Sequence, residues 1–289
     1  MVTPPGDAMN EKLALRRQGL FARRFTLWLI ILGILLLMGF YAATDPARVA
    51  SDHLLNGADV AGYAVCHRIT GHSFTLAGRQ LPLCARCTGI YLGIMLVFSS
   101  LGLAGRWRWS DLPPRRVLLV LAGFIAIMGV DGLNSYSHFF PAAPHLYEPR
   151  NWLRLLTGLG TGLAMGIMTL PALAQSLWRE QVRRAAVDSV AELAGLVALA
   201  VILALLVLSN RPGLLYVLAI VSAAGVVLIL TILNTIVLLI LLRRDARAVT
   251  WRQVLLPLGA GLCLALLQIG AIGVVRYALT GTMTGFPGL

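Results

Sequence analysis

Three thiols, an imidazole and a guanidinium fall within one short stretch of this chain: Cys66-His67, then sixteen residues, then Cys84-Ala85-Arg86-Cys87-Thr88-Gly89. The Cys-x-x-Cys spacing brings Cys84 and Cys87 within reach of one tetrahedral ion, and Cys66 with His67 can supply the remaining ligands from the far end of a loop. Thiolate and imidazole donors select zinc among the common metals, with iron second. The same atoms support a redox reading, in which Cys84 and Cys87 form an exchangeable dithiol. Arg86 and the start of a helix would favour its thiolate, and Cys66 would be the resolving thiol. Three cysteines is an odd count, which fits a metal or thiol exchange better than a set of structural disulfides. The fourth, Cys263, lies within a long apolar run and is expected to be a small buried hydrophobe. His53, His72, His138 and His145 are further imidazoles, each more ordinary as a loop histidine than as a ligand.

A second constellation follows at Asp131, Asn151 and Arg154. Asn151, Arg154 and Gly158 are spaced three and four apart, so they share one helix face. A carboxylate at a membrane boundary needs a partner, and Arg154 is the expected one, with Asn151 capping the helix. The catalytic version of the same set makes Asp131 a general base or fourth ligand. Arg86 and Arg154 then hold a phosphate or carboxylate headgroup, with Asn151 beside them.

Membrane helices must position these groups. The chain has 289 residues, 58% of them hydrophobic and only 12% charged, with mean hydropathy +0.81. It contains several apolar runs of bilayer length. The expectation is an all-α, polytopic membrane protein of about seven spans: Phe25–Ala43, Thr88–Ala104, Val117–Asn134, Trp152–Ala174, Val190–Leu208, Gly213–Leu242 and Val254–Leu279. The sixth run would be roughly 45 Å long as a straight helix, so it must tilt, kink or protrude. The formal charge of +12 comes from short basic clusters between apolar runs, a pattern that orients spans and meets anionic headgroups and argues against a nucleic-acid partner. Sixteen Lys and Arg fall on one side of this topology and eight on the other. That bias puts the amino terminus in the cytoplasm and the carboxyl terminus outside. The Cys/His loop and the loop around Asp131–Asn151 then share the external face.

The expected organisation is a basic amino-terminal segment (1–24), a four-helix core (25–174) and three further spans (175–289). The core carries the Cys/His loop (44–87) and the second external loop (131–151). The basic start resembles a signal peptide in charge order but lacks a clear cleavage site, so the first span is expected to be retained. The stretch Thr44–Leu83 is too short for its own core and reads as a lid or metal loop, with turns at Asp45-Pro46 and Asn56-Gly57. Gly89 and Gly93 in the second span, and Gly158, Gly162 and Gly166 in the fourth, recur every four residues, which predicts that these two helices pack closely. Asn234 and Gln268 are expected to hydrogen-bond between helices, and Arg276 to snorkel to the interface.

The run Cys66-His67-Arg68, His72-Ser73-Phe74, Gly78-Arg79-Gln80-Leu81-Pro82-Leu83-Cys84-Ala85-Arg86-Cys87-Thr88-Gly89 resembles the signature of a prokaryotic membrane family, domain of unknown function 2085. Asp131-Gly132 and Asn151-Trp152-Leu153-Arg154-Leu155-Leu156-Thr157-Gly158 resemble that family's second motif. The likeness covers roughly residues 60–170. Its one departure is His72, where the family carries arginine, so His67 is the better ligand candidate of the two. The resemblance implies no activity.

Three functions fit the sequence. One is a zinc-type centre at the outer face of a prokaryotic cytoplasmic membrane, acting on a lipid or other anionic interfacial substrate. Another is a membrane thiol–disulfide oxidoreductase using Cys84 and Cys87. The third is an assembly or carrier protein stapled by a metal or disulfide.

Overall fold

The computed structural model describes residues 37, 49, 51–140 and 144–283. Apart from Leu37, the first expected span lies outside the described residues, as do the basic segment before it and the expected turn at Asp45-Pro46. The remaining six spans are all helices long and apolar enough to cross a membrane: α2 (Ala85–Leu103), α3 (Arg115–Ser137), α4 (Asn151–Leu177), α5 (Val190–Leu208), α6 (Pro212–Leu241) and α7 (Trp251–Thr280). The chain is an all-α polytopic membrane protein. The long sixth run is one helix of 30 residues.

The helices differ in how much of themselves they give to the protein. In α4, 67% of the most apolar window is buried, against 17% in α7, which turns Leu255, Leu256, Leu267, Val274 and Leu279 outward. Outward apolar faces of this kind belong against lipid. Cys263 shares that outer face, so it is exposed and not the buried hydrophobe expected from its position in the run. Asn234 and Gln268 form a reciprocal amide pair between α6 and α7 at 2.9 and 3.2 Å.

The four-residue glycine repeat is where α2 and α4 meet. A Cβ on Gly89 would lie 2.3 Å from Leu155 O, and one on Gly158 would lie 2.2 Å from Arg86 O. At Gly162 the distance to Ile90 O would be 2.1 Å. Only hydrogen fits in such a contact, so the two backbones run together because these positions lack side chains.

Each end of the bundle carries extra structure. At the cysteine end, helix α1 (His53–Val65) precedes a 3-10 turn (Thr70–His72) and a hairpin of β1 (Thr75–Leu76) and β2 (Arg79–Gln80). Ala77 and Gly78 both take positive φ, which closes that hairpin in two residues. Asn56-Gly57, read as a turn from the sequence, lies inside α1, whose N-cap Asp52 accepts from Leu55 N at 2.9 Å. At the opposite end, β3 (Trp109–Asp111) and β4 (Val182–Ala185) pair in parallel.

Candidate functional site

Two helix ends bring the sulfurs together. The carbonyl end of α1 finishes at Cys66, whose N–H bonds back to Gly62 O at 2.9 Å. Gly62 lets the loop before Cys84 approach: a Cβ there would sit 2.0 Å from Pro82 O. Cys84 is the N-cap residue of α2, and its amide donates to Cys66 Sγ at 3.3 Å. Cys87 lies one turn further along α2. The three Sγ atoms fall within 4.8 Å of one another. A tetrahedral ion with metal–sulfur bonds of about 2.3 Å holds its sulfurs roughly 3.8 Å apart, so the cluster needs little adjustment to close on an ion.

The surroundings favour charge on Cys66. Its thiol is held far below the ordinary range because the Cys84 and Cys87 thiols hydrogen-bond to its sulfur; those bonds, with help from His67 and the Cys84 amide, outweigh the cost of burial. Cys84 is pushed up to about 12, first because its proton serves the Cys66 sulfur.

His67 takes a different place from the one its sequence position suggests. The group of mutually close ligand atoms contains the three cysteines and not His67, whose ring stands edge-on to His72 at 5.8 Å. It lies beside Cys66, to whose sulfur it hydrogen-bonds, and outside the group of three. His72 is half-buried and lowered to about 4, first by burial and then by the fields of Arg154, His67 and Arg86. The imidazoles of His138 and His145 pair with each other at 3.9 Å and do not join the sulfurs.

The second constellation converges on the same end of the bundle, with one partner exchanged. Asp131 was expected to pair with Arg154, but its guanidinium partner is Arg86, which follows Ala85 at the start of α2 and also donates to Ser135 Oγ at 3.1 Å. Tyr147 Oη donates to the other carboxylate oxygen at 2.9 Å, and Thr157 Oγ1 lies 3.5 Å from the first. The Tyr147 phenol is raised by burial and by that bond. Arg154 instead donates to Asn151 Oδ1 at 2.8 Å. The Asn151 side chain does not cap α4; its amide reaches Gly71 O and Ser73 O at 3.2 and 3.5 Å and so ties the 3-10 turn to the helix.

Several residues that build the site carry no obvious chemistry in the sequence. Asp59 binds both Arg68 (2.9 Å) and Arg79 (2.7 Å), and Gln80 bonds Arg68 O and Ser73 Oγ, which braces the hairpin against α1. Arg276, near the end of α7, donates to the carbonyls of Tyr63, Cys66 and His67 and lies 4.2 Å over the Tyr63 ring. It therefore covers the orphan carbonyls at the end of α1, a role for a cation at a helix C-terminus, where the sequence had pointed to snorkelling. The Gly78-Arg79-Gln80 triplet inside the cysteine motif was the available signal for the brace. Nothing near Arg276 announces its contact 210 residues away.

Comparison with other proteins now adds context. The model of a family described as "Predicted membrane protein (DUF2085)" matches residues 66–168. An uncharacterized protein of Methanothermobacter thermautotrophicus is 31% identical over 105 residues, which is 36% of this chain and 84% of that one. The uncharacterized protein MJ1492 of Methanocaldococcus jannaschii is 26% identical over 116 residues, 40% of this chain and 68% of that one. No solved structure matches. The matched stretch runs from Cys66 into α4 and so contains the three sulfurs, Arg86, Asp131, Asn151 and Arg154.

Proposed function

This chain belongs to the predicted membrane protein family DUF2085, and on that premise we propose that Cys66, Cys84 and Cys87 bind a soft divalent metal, zinc in the first instance. The observation that carries the reading is the convergence of the three sulfurs from two separate helix ends. Structural zinc sites close all four positions, whereas catalytic ones leave one for water or substrate. Three sulfurs with His67 alongside fit the open kind. In this reading His67 handles a proton at the vacant position and is not a ligand. Asp131, already committed to Arg86, Tyr147 and Thr157, holds Arg86 in place and is neither base nor ligand.

The sixteen-to-eight distribution of basic residues supports an orientation with the sulfurs on the outer face of a cytoplasmic membrane, the amino terminus inside and the carboxyl terminus outside. A centre at the mouth of a helix bundle, level with the membrane surface, suits a lipid or other interfacial substrate whose carbonyl or phosphoryl group the metal would polarise. The oxidoreductase reading gains less support. Thiol exchange needs two sulfurs, and here the Cys-x-x-Cys pair does not stand apart: Cys66 Sγ lies among its sulfurs as a third donor.

The test is metal analysis and thiol counting on one purified sample. The expected result is close to one metal ion per chain with all four cysteines reduced. Replacing Cys66, Cys84 or Cys87 by serine should remove the metal, and Cys263→Ser should not. A metal-free protein with a reversible Cys84–Cys87 disulfide would overturn the proposal in favour of thiol exchange.

A further inference from the structure

Arg154 is a buried cation with no anion of its own. Its residue is 4% exposed. Among the described residues the side chain makes one hydrogen bond, to the neutral Asn151 amide, and its Nε is buried without a partner. The nearby carboxylate, Asp131, is engaged by Arg86, Tyr147 and Thr157. Arg86 also keeps a buried Nε without a partner. Two guanidiniums therefore face one carboxylate, Arg154 almost wholly buried and Arg86 18% exposed, and an unpaired buried charge is costly unless something neutralises it.

We propose that Arg154, with the unpartnered Nε–H of Arg86 beside it, binds an oxyanion, a phosphate or a carboxylate. A planar guanidinium offers parallel N–H groups that match two oxygens of such a group. The segment over the site is suited to admit it. The Asn151 amide ties Gly71 and Ser73 to α4, and the oxygen of the same side chain accepts from Arg154. An anion arriving at Arg154 competes with Asn151 and so bears on the tie that holds the turn. The oxyanion site stands on the arginines alone. That the oxyanion belongs to the substrate of the metal centre rests on the reading of the three cysteines given above.

One rival explains the same charge. A divalent metal on three thiolates carries one net negative charge, for which Arg154 could be the counter-ion. The test separates the two using the full chain in neutral detergent, metal-loaded and then stripped with a chelator, with metal content measured on each sample. Thermal midpoints are compared in inorganic phosphate and in chloride at equal ionic strength. They are compared again in nanodiscs of phosphatidylglycerol and of phosphatidylcholine. The expected result is a rise of a few degrees with phosphate in both the loaded and the stripped protein, absent in Arg154→Gln. A rise only with phosphatidylglycerol, again lost in Arg154→Gln, supports the proposal and names a lipid headgroup as the source.

A rise confined to the stripped protein would overturn the proposal, since Arg154 would then serve the metal centre. Equal rises in wild type and Arg154→Gln, or none in either medium, would do the same. Should Arg154→Gln fail to fold, Arg154→Lys decides. It keeps the charge without the fork, and half-saturation should need at least tenfold more phosphate; wild-type affinity in that variant would overturn fork recognition. Loss of the metal reading shows separately, as wild-type protein that binds phosphate but holds no metal.

Discussion

The two ends of the bundle treat charge in opposite ways. At the cysteine end, Asp131 is 1% exposed and is paired with a guanidinium from another helix. Asp59 holds two arginines, and Arg276 crosses from α7 to cover the end of α1. At the other end Arg115, Arg116, Arg183, Arg184, Arg243, Arg244, Arg247 and Arg252 all stand exposed. The one ion pair described there, Arg106 with Glu192, leaves the carboxylate 37% exposed. At the same end the Trp107 and Trp178 rings lie 6.2 and 4.8 Å from that of Trp251. Exposed cations and an exposed indole such as Trp251, 46% exposed, anchor a protein at a membrane surface. Buried, cross-linked charge is costly to build, and it is concentrated at the end that holds the three sulfurs.

The contrast can be broken by single substitutions. The largest effect is expected from Asp131→Asn, which strands Arg86 in a buried position and should cost about 3–5 kcal/mol. Glu192→Gln, at the exposed pair, should cost under about 1 kcal/mol. Denaturant midpoints of the two variants measure the difference, and similar losses would remove the distinction between the ends. Next, Gly158→Ala or Gly162→Ala forces the α2 and α4 backbones apart and should cost about 1–3 kcal/mol. Gly195→Ala and Gly259→Ala, where a Cβ meets nothing within 4 Å, should be neutral or slightly stabilising.

Smaller effects sharpen the picture of the site. Arg276→Gln uncovers the carbonyls of Tyr63, Cys66 and His67 and should cost about 1–2 kcal/mol, with weaker metal retention against a chelator although no ligand has changed. The smallest effect is on pH dependence. His72 has its proton affinity lowered in the folded protein to about 4 from an ordinary 6.5. Between those values the unfolded chain binds the proton and the folded one does not, so stability should fall as pH drops from about 6.5 toward 4. His72→Gln should flatten that slope, and a thermal midpoint measured against pH reads it. An unchanged slope would show that His72 is not the group responsible.

The helices were legible where a single cause decided them. Span α5 was read end for end as Val190–Leu208 because it is one uniform apolar run, with Ser189 capping its start through Glu192 N. The α2–α4 contact followed from glycine spacing alone. The site was legible in its members but not in all its pairings. Asn151 and Arg154 were placed on one face by their spacing, yet two arginines stood within reach of Asp131, and which one takes the carboxylate depends on how α2 is rotated against α3. Helix α1 was missed because thirteen residues with Asn56-Gly57 near the start look like a turn-rich loop. Asp59 went unremarked and Arg276 was read as snorkelling for another reason. Their partners are remote in the chain, and no local pattern encodes such a meeting.

Helix α7 is one rod with a hand at each surface of the membrane. Its thirty residues, about 45 Å of rise, begin at Trp251 among the indoles of one face and end with Arg276 gripping the backbone of Cys66 on the other. A thinner bilayer tilts such a rod, and its far tip then draws on the strand of chain that presents the first sulfur. The two membrane surfaces are thereby joined through a single guanidinium that holds the carbonyl of Cys66.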